Sequence, residues 1–344
     1  MIRFTLLFII IPYIFCAQIV TESTIIYDGI ERSYILYVPE LYNENTSTPL
    51  VLNLHGYGSN SGQQMIYSNF YEISNTENFI LVHPLGTIDA TGSNFWSITP
   101  SDGVDDVGFL NALIDSMSNQ YNINENRIYS LGMSNGGFMS YYLACELNNK
   151  IAAIASVTGS MTSEQMNLCN PLNPIPVMQI HGTSDFIVPY NGLLNLGTES
   201  IDNIISYWVD INQCDMDPII NDIENTNLLD LSEVEHYIYE NGINNNSVEF
   251  YKIINGGHTW PGATIPFAGN NTNQDINASE VIWDFFKKYD KNGIINQTQI
   301  KEINKQKKLI KSIDILGQKT KDTHIYFNIY DDGSVKKLYQ INKI

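Results

Sequence analysis

Apolar residues along this chain alternate between short continuous runs and stretches with helical spacing. Continuous runs of strand length occur at 49–55, 79–84, 151–157 and 175–180. Between them, apolar positions recur every three or four residues over 62–77, 105–117 and 201–211. The short runs are typical of strands buried on both faces, and the spaced stretches are typical of amphipathic helices. The alternation predicts an α/β fold: a mostly parallel central sheet with helices on both faces.

The pattern changes towards both ends of this region. Residues 22–39 contain two strand-like runs around an Asp-Gly pair, which predicts a β-hairpin. Strand-like stretches at 233–239 and 248–254 precede a helical pattern over 278–289. We therefore expect one large domain over residues 18–290.

One junction between a strand and a helix contains a serine flanked by glycines. The strand pattern runs into Gly132-Met133-Ser134-Asn135-Gly136, and a helical pattern follows at once. A Gly-x-Ser-x-Gly turn in this context is typical of a nucleophile elbow, which lifts the serine hydroxyl clear of the sheet. An ordinary glycine-rich turn is the alternative. A catalytic Ser134 therefore also requires a histidine, an acid and an oxyanion hole from the rest of the chain.

Two later segments supply the acid and the histidine. Asp185 lies a few residues past the strand-like run at 175–180, and His258 lies a few residues past the run at 248–254. Because parallel strands end at the same edge of a sheet, both side chains should lie near Ser134. The order Ser134, Asp185, His258 is that of α/β-hydrolases, in which histidine takes the serine proton and the acid orients the histidine.

The other histidines are weaker candidates for the general base. His55 and His181 each follow apolar strand residues and precede glycine, which is typical of buried structural histidines. His83 precedes a proline at a strand end and is a minor candidate, and His236 lies in a polar, hairpin-like segment. The acids at 105–106 are better suited to cap a helix than to orient a histidine.

Two backbone amides are the expected donors of the oxyanion hole. One is the N–H of Asn135, directly after the serine. The other is expected from the loop after the run at 49–55, where Tyr57 lies between two glycines that permit a close approach to substrate. A simple glycine turn is the alternative for this loop.

Charge and cysteine spacing exclude several classes of function. Up to Phe286 the chain has 5 Lys/Arg and 31 Asp/Glu, and from Lys287 onwards it has 13 and 6, for a net charge of −19. A domain this acidic repels polyanions, so nucleic acid is not an expected partner. No cysteine or histidine spacing fits a zinc site, so zinc is not expected.

Both ends of the chain differ from the central domain. Residues 1–17 predict a signal peptide, in which Arg3 precedes an apolar core, and no later run approaches the ~20 residues of a membrane span. Residues 291–308 are rich in Lys and Asn and predict a linker, and residues 309–344 predict a small C-terminal β appendage. We therefore expect an exported protein, secreted or at the cell surface, in which a pair of cysteines oxidises.

Six motifs within residues 22–290 are informative when they are taken together. They are His55-Gly-Tyr-Gly-Ser, Trp96, Asp105-Asp-Val-Gly-Phe-Leu, Gly-Met-Ser134-Asn-Gly-Gly, His-Gly-Thr-Ser-Asp185 and Gly-Gly-His258-Thr-Trp-Pro-Gly. The set resembles the secreted polyhydroxybutyrate depolymerase/feruloyl esterase family, which includes esterases of the first carbohydrate esterase family. The resemblance implies an α/β-hydrolase that cleaves esters through an acyl-enzyme without a cofactor. Feruloyl or acetyl esters of polysaccharide and short aliphatic polyesters all remain open as substrates.

The resemblance also implies roles for residues outside the triad. Trp260 would either line the acyl pocket or pack the loop that positions His258. Cys145 and Cys169 resemble the paired cysteines of the family, which implies a disulfide between them. The cysteine that pairs with the equivalent of Cys214 in many relatives is missing here, so Cys214 is expected to be free.

The C-terminal segment is similar to a different kind of signal. Lys311-x-x-Asp314-x-x-Gly317 and the residues 330–337 resemble the C-terminal sorting signals of the type IX secretion system of Bacteroidetes, although Gln318 stands where a basic residue is common. This implies a sorting domain at 309–344 and the secretion machinery as a partner. A β appendage that binds substrate or packs on the hydrolase is the alternative.

These observations predict a secreted serine esterase that works on a polysaccharide or polyester. The alternative from another class is a non-catalytic carbohydrate-binding or adhesion protein on a hydrolase fold. The presence of all three triad positions and of both oxyanion segments favours the enzyme.

Overall fold

The computed structural model describes residues 19–99, 103–193, 197–265, 271–295, 309–313, 325–330 and 335–339. The chain divides into two compact units, the first ending at Ile294 and the second beginning at Ile295. The expected signal peptide at 1–17 and most of the expected linker lie outside the described residues.

The first unit is built on a ten-stranded sheet. In chain order its strands are β1 (Ile19–Tyr27), β2 (Ile30–Val38), β3 (Thr48–Leu54), β4 (Ile80–Pro84), β7 (Ile123–Met133), β8 (Ala153–Val157), β9 (Val177–Gly182), β10 (Ile219–Asp222), β11 (Glu233–Tyr239) and β12 (Val248–Ile254). Two short ladders, β5 (Thr87–Ile88) with β6 (Asn94–Phe95) and β13 (Tyr289–Asp290) with β14 (Gly293–Ile294), complete the unit.

The strand order across the sheet is β1-β2-β4-β3-β7-β8-β9-β12-β11-β10. The strands from β4 to β12 in this order pair in parallel. Antiparallel strands flank them at both edges. The predicted mostly parallel sheet is therefore confirmed, and the carboxyl ends of its central strands share one edge.

Helices cover both faces of this sheet. They are α1 (Ser61–Ser68), α2 (Phe70–Glu77), α3 (Asp106–Gln120), α4 (Asn135–Glu146), α5 (Ser163–Leu168), α6 (Ile201–Asn212) and α7 (Ala278–Phe286). Apolar residues of α3, α4 and α6 pack in one core cluster, and those of α2 and α7 pack in a second. Coverage on both sides explains why β3 is buried along its whole length and why its sequence is continuously apolar.

The stretch predicted to be helical over 62–77 is helical, and it consists of two helices, α1 and α2. Asn69 has φ 48° and ψ 29°, and its N–H donates to the carbonyl oxygen of Met65, which ends α1. α2 begins at the next residue. Asparagine adopts this left-handed conformation more readily than most residues, so the break lies where the sequence permits it.

The described cysteines follow the expected pattern. Cys145 and Cys169 form a disulfide that joins the end of α4 to the residue after α5, with a Cα–Cα distance of 5.0 Å. Cys214 has a free thiol and is buried.

The second unit contains a three-stranded antiparallel sheet. Its strands are β15 (Leu309–Ile313), β16 (Ile325–Tyr330) and β17 (Val335–Tyr339). A β appendage at the C-terminus was expected, and its role in sorting stays a prediction. In the part of the chain that the structure describes, no helix is both long enough and apolar enough to cross a membrane.

Candidate active site

Ser134 lies at the sharp turn between β7 and α4. Its φ of 54° and ψ of −120° lie outside the regions that residues with a side chain prefer, so the backbone is strained there. The surrounding structure holds this conformation, because the Ser134 N–H donates to Val157 and the Ser134 carbonyl oxygen accepts from Gly137 and Phe138. The geometry is that of a nucleophile elbow.

The glycines on either side of Ser134 allow strand and helix to approach closely. A Cβ atom on Gly132 would lie 2.3 Å from the backbone carbonyl group of Gly136. A Cβ atom on Gly136 would lie 2.3 Å from the carbonyl oxygen of Leu54 on β3. Neither position can accept a side chain without moving backbone, which explains the spacing of the motif.

The predicted acid and histidine are hydrogen-bonded to each other. His258 Nδ1 lies 2.8 Å from Asp185 Oδ2. The other carboxylate oxygen accepts the backbone N–H groups of Ile187 and Val188 at 2.9 and 2.8 Å. With its Nδ1 proton donated to Asp185, a neutral His258 has Nε2 as its basic nitrogen.

Ser134 and His258 line the same cleft, which has a volume of about 610 Å³. The apolar part of its wall is formed by Tyr57, Ile66, Tyr67, Met133 and Ile265. Sequence patterns did not single out Ile66, Tyr67 or Ile265, because only the packing of α1 and of the loop after His258 brings them to the cleft. The mixture of one reactive centre and apolar walls is typical of a small-molecule site.

The loop that contains Tyr57 passes directly beside the serine. A Cβ atom on Gly56 would lie 3.4 Å from the Ser134 Cβ. The hydrogen bonds among the described residues use neither the Tyr57 N–H nor the Asn135 N–H. Both predicted oxyanion donors therefore lie next to Ser134 without a partner among the described residues.

Trp260 does not line the cleft, which corrects the expectation that it forms an acyl pocket. Its side chain is 1% exposed, and its indole N–H donates to Ser279 Oγ on α7 at 3.1 Å. Its backbone N–H donates to the Tyr67 hydroxyl at 3.2 Å. These contacts brace the loop that follows His258, and this was the other role expected for the residue.

The buried histidines His55, His83 and His181 do not line the cleft. Both ring nitrogens of His55 and of His181 are hydrogen-bonded to nearby backbone or side-chain groups. Burial lowers the pKa of His55 to about 4 and that of His83 to about 3, so both rings are neutral at neutral pH. Among the described histidines, His258 is the one that lines the cleft.

Comparisons with known proteins show similarity to esterases. The profile of a phospholipase/carboxylesterase family matches residues 103–234. The bifunctional acetylxylan esterase/xylanase XynS20E of Neocallimastix patriciarum is 31% identical over 162 residues, which are 47% of this chain and 22% of that protein. Feruloyl esterase B of Piromyces equi is 27% identical over 197 residues, which are 54% of this chain and 37% of that protein. The chain thus spans less than two thirds of these relatives.

A solved structure extends the likeness across most of the chain. The acetyl xylan esterase from Aspergillus awamori aligns with 78% of this chain and 98% of its own, at a TM-score of 0.54 and 14% sequence identity. At a sequence identity this low, the likeness is evidence for the fold alone. The fold is therefore that of the α/β-hydrolases, as the elbow at Ser134 and the strand order indicate.

Proposed function

We propose that this protein is a carboxylic ester hydrolase with Ser134 as the nucleophile, His258 as the general base and Asp185 as the acid that orients it. The proposal depends on one observation: a cleft contains both the strained Ser134 and a histidine bound to a buried carboxylate. The esterases among the similar proteins support the same class.

The chemistry follows from these positions. Ser134 Oγ attacks the ester carbonyl carbon while His258 Nε2 accepts the serine proton. The backbone N–H groups of Asn135 and Tyr57 stabilise the negative charge that develops on the carbonyl oxygen. His258 then donates its proton to the departing alcohol, and a water molecule activated by the same nitrogen hydrolyses the acyl-enzyme.

The cleft and the similar proteins support a proposal for the substrate class. We propose an ester carried by a neutral polymer: a feruloyl or acetyl ester of plant polysaccharide, or a poly(3-hydroxybutyrate)-type polyester. The apolar cleft wall suits an acyl group, and the net charge of −19 disfavours an anionic polymer. Hydrolysis of methyl ferulate, acetylated xylan and a polyhydroxybutyrate suspension, measured side by side, distinguishes these substrates.

The decisive experiment compares Ser134→Ala with the wild type on p-nitrophenyl acetate. We expect kcat to fall by about 10⁶-fold, as loss of a nucleophile in a triad does. Ser116→Ala, at a half-buried serine on α3 that does not line the cleft, is the control and should keep full activity. A wild type that neither hydrolyses esters nor reacts with a fluorophosphonate probe would contradict the proposal and favour a non-catalytic binding protein.

We also propose that the protein is exported, with residues 1–17 as the signal peptide and residues 309–344 as a type IX sorting domain. The proposal is supported by the sequence motifs at both ends of the chain. Expression in a Bacteroidetes host should place the full chain outside the cell, and deletion of 309–344 should retain it in the periplasm. Equal export of both forms would argue against the sorting role.

A further inference from the structure

His55 holds the carbonyl group that precedes Tyr57. The His55 ring is buried, and its Nε2 accepts the N–H of Gly86 at 3.0 Å. The ring proton therefore lies on Nδ1, which donates to the Gly56 carbonyl oxygen at 2.8 Å. The Ser59 N–H donates to the same oxygen at 3.1 Å. Two donors thus fix the direction of the Gly56 carbonyl group.

The orientation of this carbonyl group determines where the Tyr57 N–H points. The Gly56–Tyr57 peptide is trans, and the C=O and N–H bonds of a planar trans peptide point in opposite directions. With the Gly56 oxygen turned towards the buried His55 ring, the Tyr57 N–H is turned away from it. That side is the cleft, which Gly56 and Tyr57 both line beside Ser134.

Trp96 connects this loop to the residue after the nucleophile. Its indole N–H donates to the His55 carbonyl oxygen at 2.9 Å, and its ring lies 5.0 Å from the His55 ring. Its backbone N–H donates to Asn135 Oδ1 at 2.7 Å, and Asn135 Nδ2 donates to the Trp96 carbonyl oxygen at 3.1 Å. Trp96 is 1% exposed and its indole hydrogen bond is buried, while its two bonds with Asn135 are partly buried.

We propose that His55 and Trp96 are the positioning residues of the oxyanion hole. Through these bonds they hold the Tyr57 and Asn135 N–H groups at a fixed separation and direction before substrate arrives. The inference rests on the proposed esterase function. An oxyanion hole acts on charge that develops in the transition state, so its distortion lowers kcat more than it raises KM.

The test is Trp96→Phe, which keeps an aromatic ring and deletes the indole N–H. We expect kcat for p-nitrophenyl acetate to fall about tenfold, with KM within about twofold of the wild type. Trp283→Phe is the matched control. It deletes the indole N–H of another tryptophan with a buried ring, 3% exposed, and this N–H donates to Glu77 Oε2 at 3.0 Å on the face covered by α7. Thermal unfolding of both variants measures any loss of stability, and the control should keep the wild-type kcat.

A second variant tests the other end of the connection. Asn135→Asp has the same shape but turns a carboxylate oxygen towards the Trp96 carbonyl oxygen. We expect kcat to fall further than in Trp96→Phe, because the two oxygens repel. The inhibition constant of a trifluoromethyl ketone, whose adduct places an oxyanion in the hole, should rise in each variant by the factor by which kcat falls.

The outcomes separate the two proposals. An active wild type with full kcat in Trp96→Phe would overturn the positioning role alone. Equal loss of kcat in Trp96→Phe and Trp283→Phe would also overturn it, since general destabilisation would then account for the effect. An inactive wild type would overturn the proposed function, and the positioning role with it.

Discussion

Asp185–His258 and Glu249–His236 are both buried carboxylate–histidine hydrogen bonds, the first beyond the ends of β9 and β12 and the second between β11 and β12. Asp185 Oδ2 lies 2.8 Å from His258 Nδ1, and Glu249 Oε2 lies 2.9 Å from His236 Nε2. Asp185 is 4% exposed and Glu249 is 2% exposed. By distance and burial the two pairs are alike, so a carboxylate–histidine bond does not by itself identify a catalytic site.

The pairs differ at the second oxygen of the carboxylate. Asp185 Oδ1 accepts two backbone N–H groups of its own loop. Glu249 Oε1 instead accepts from the Lys288 ammonium at 2.8 Å. Neutral backbone donors hold Asp185 in place without placing a side-chain cation against the carboxylate, which leaves it free to stabilise a histidine that becomes charged during a reaction. The Glu249 carboxylate, in contrast, is already paired with the Lys288 ammonium.

The pairs also differ beyond the imidazole ring. His258 lines the cleft together with Ser134. His236 is stacked on Tyr251, with ring centroids 3.9 Å apart and an interplanar angle of 12°. The carboxylate–histidine pair therefore does not by itself distinguish a candidate catalytic histidine from a structural one. What distinguishes them is a nucleophile and a cleft for substrate beside the imidazole ring.

The largest expected effect tests the catalytic side of this comparison. Asp185→Asn keeps the shape of the side chain but favours the wrong tautomer of His258, so we expect kcat on p-nitrophenyl acetate to fall about 10⁴-fold. Glu249→Gln makes the same chemical change in the other pair and should keep kcat within about twofold. Similar losses in both variants would show that the two pairs are not functionally distinct.

The second effect concerns stability. Glu249→Gln removes the charge that pairs with Lys288 and His236, and we expect the free energy of unfolding to fall by about 2 kcal/mol. Urea unfolding at pH 7 measures this loss. Glu233→Gln, at an exposed position on β11, is the control and should change stability by less than about 0.5 kcal/mol. An unchanged unfolding midpoint in Glu249→Gln would contradict a stabilising role for the Glu249–His236 pair.

The two pairs also show what the sequence could predict. Asp185 and His258 each follow the end of a parallel strand, so their meeting near Ser134 follows from topology alone. His236 and Glu249 meet because His236 lies opposite Tyr251 in the register of β11 and β12, which brings Glu249 to a diagonal position. No local signal in the sequence sets that register, so the second pair was not predicted.

The same distinction applies to the rest of the molecule. The parallel strands, the sharp turn at Ser134 and the placement of Asp185 and His258 after strand ends depend on local patterns, which can be read from the sequence. The burial of Trp260 depends on its packing against Ser279, and the presence of Tyr67 in the cleft depends on the placement of α1. Such tertiary contacts join distant segments, and for this reason the composition of the cleft could not be predicted.

A smaller effect is expected from pH. Burial alone would raise the pKa of the Glu249 carboxyl, but the hydrogen bond from His236 and the charge of Lys288 outweigh it and lower that pKa below its usual range. A carboxyl with a lowered pKa in the folded state stabilises the protein above its unfolded pKa of about 4.3, and this stabilisation is lost as the pH falls through the folded pKa.

As the pH is lowered from 5 to the lowest value at which both proteins still fold, the free energy of unfolding should therefore fall more in the wild type than in Glu249→Gln. Urea unfolding at several pH values measures the difference between the two proteins. Buried His55 and His83 also destabilise the folded state in acid, since their pKa values are lowered, but they do so equally in both proteins. Parallel curves for the two proteins would mean that Glu249 does not titrate differently on folding.

The smallest expected effect is that of Lys288→Met. The ammonium lies 2.8 Å from Glu249, but the lysine side chain is 44% exposed, so solvent screens the attraction and we expect a loss of about 0.5–1 kcal/mol. Lys287→Met is a closely matched control. Its side chain is 45% exposed, but its partner Asp284 is 65% exposed, whereas the Glu249 side chain is 3% exposed.

The two lysine variants differ mainly in the burial of the carboxylate that each lysine faces. A larger loss of stability in Lys288→Met than in Lys287→Met would show that the Lys288 ammonium stabilises the buried Glu249 carboxylate. Equal losses of stability would show that His236 alone is enough to stabilise the buried Glu249 carboxylate, as His258 and the backbone N–H groups are for Asp185. In that case the lysine would not distinguish the two pairs, and the difference between them would lie entirely in the nucleophile and the cleft beside His258.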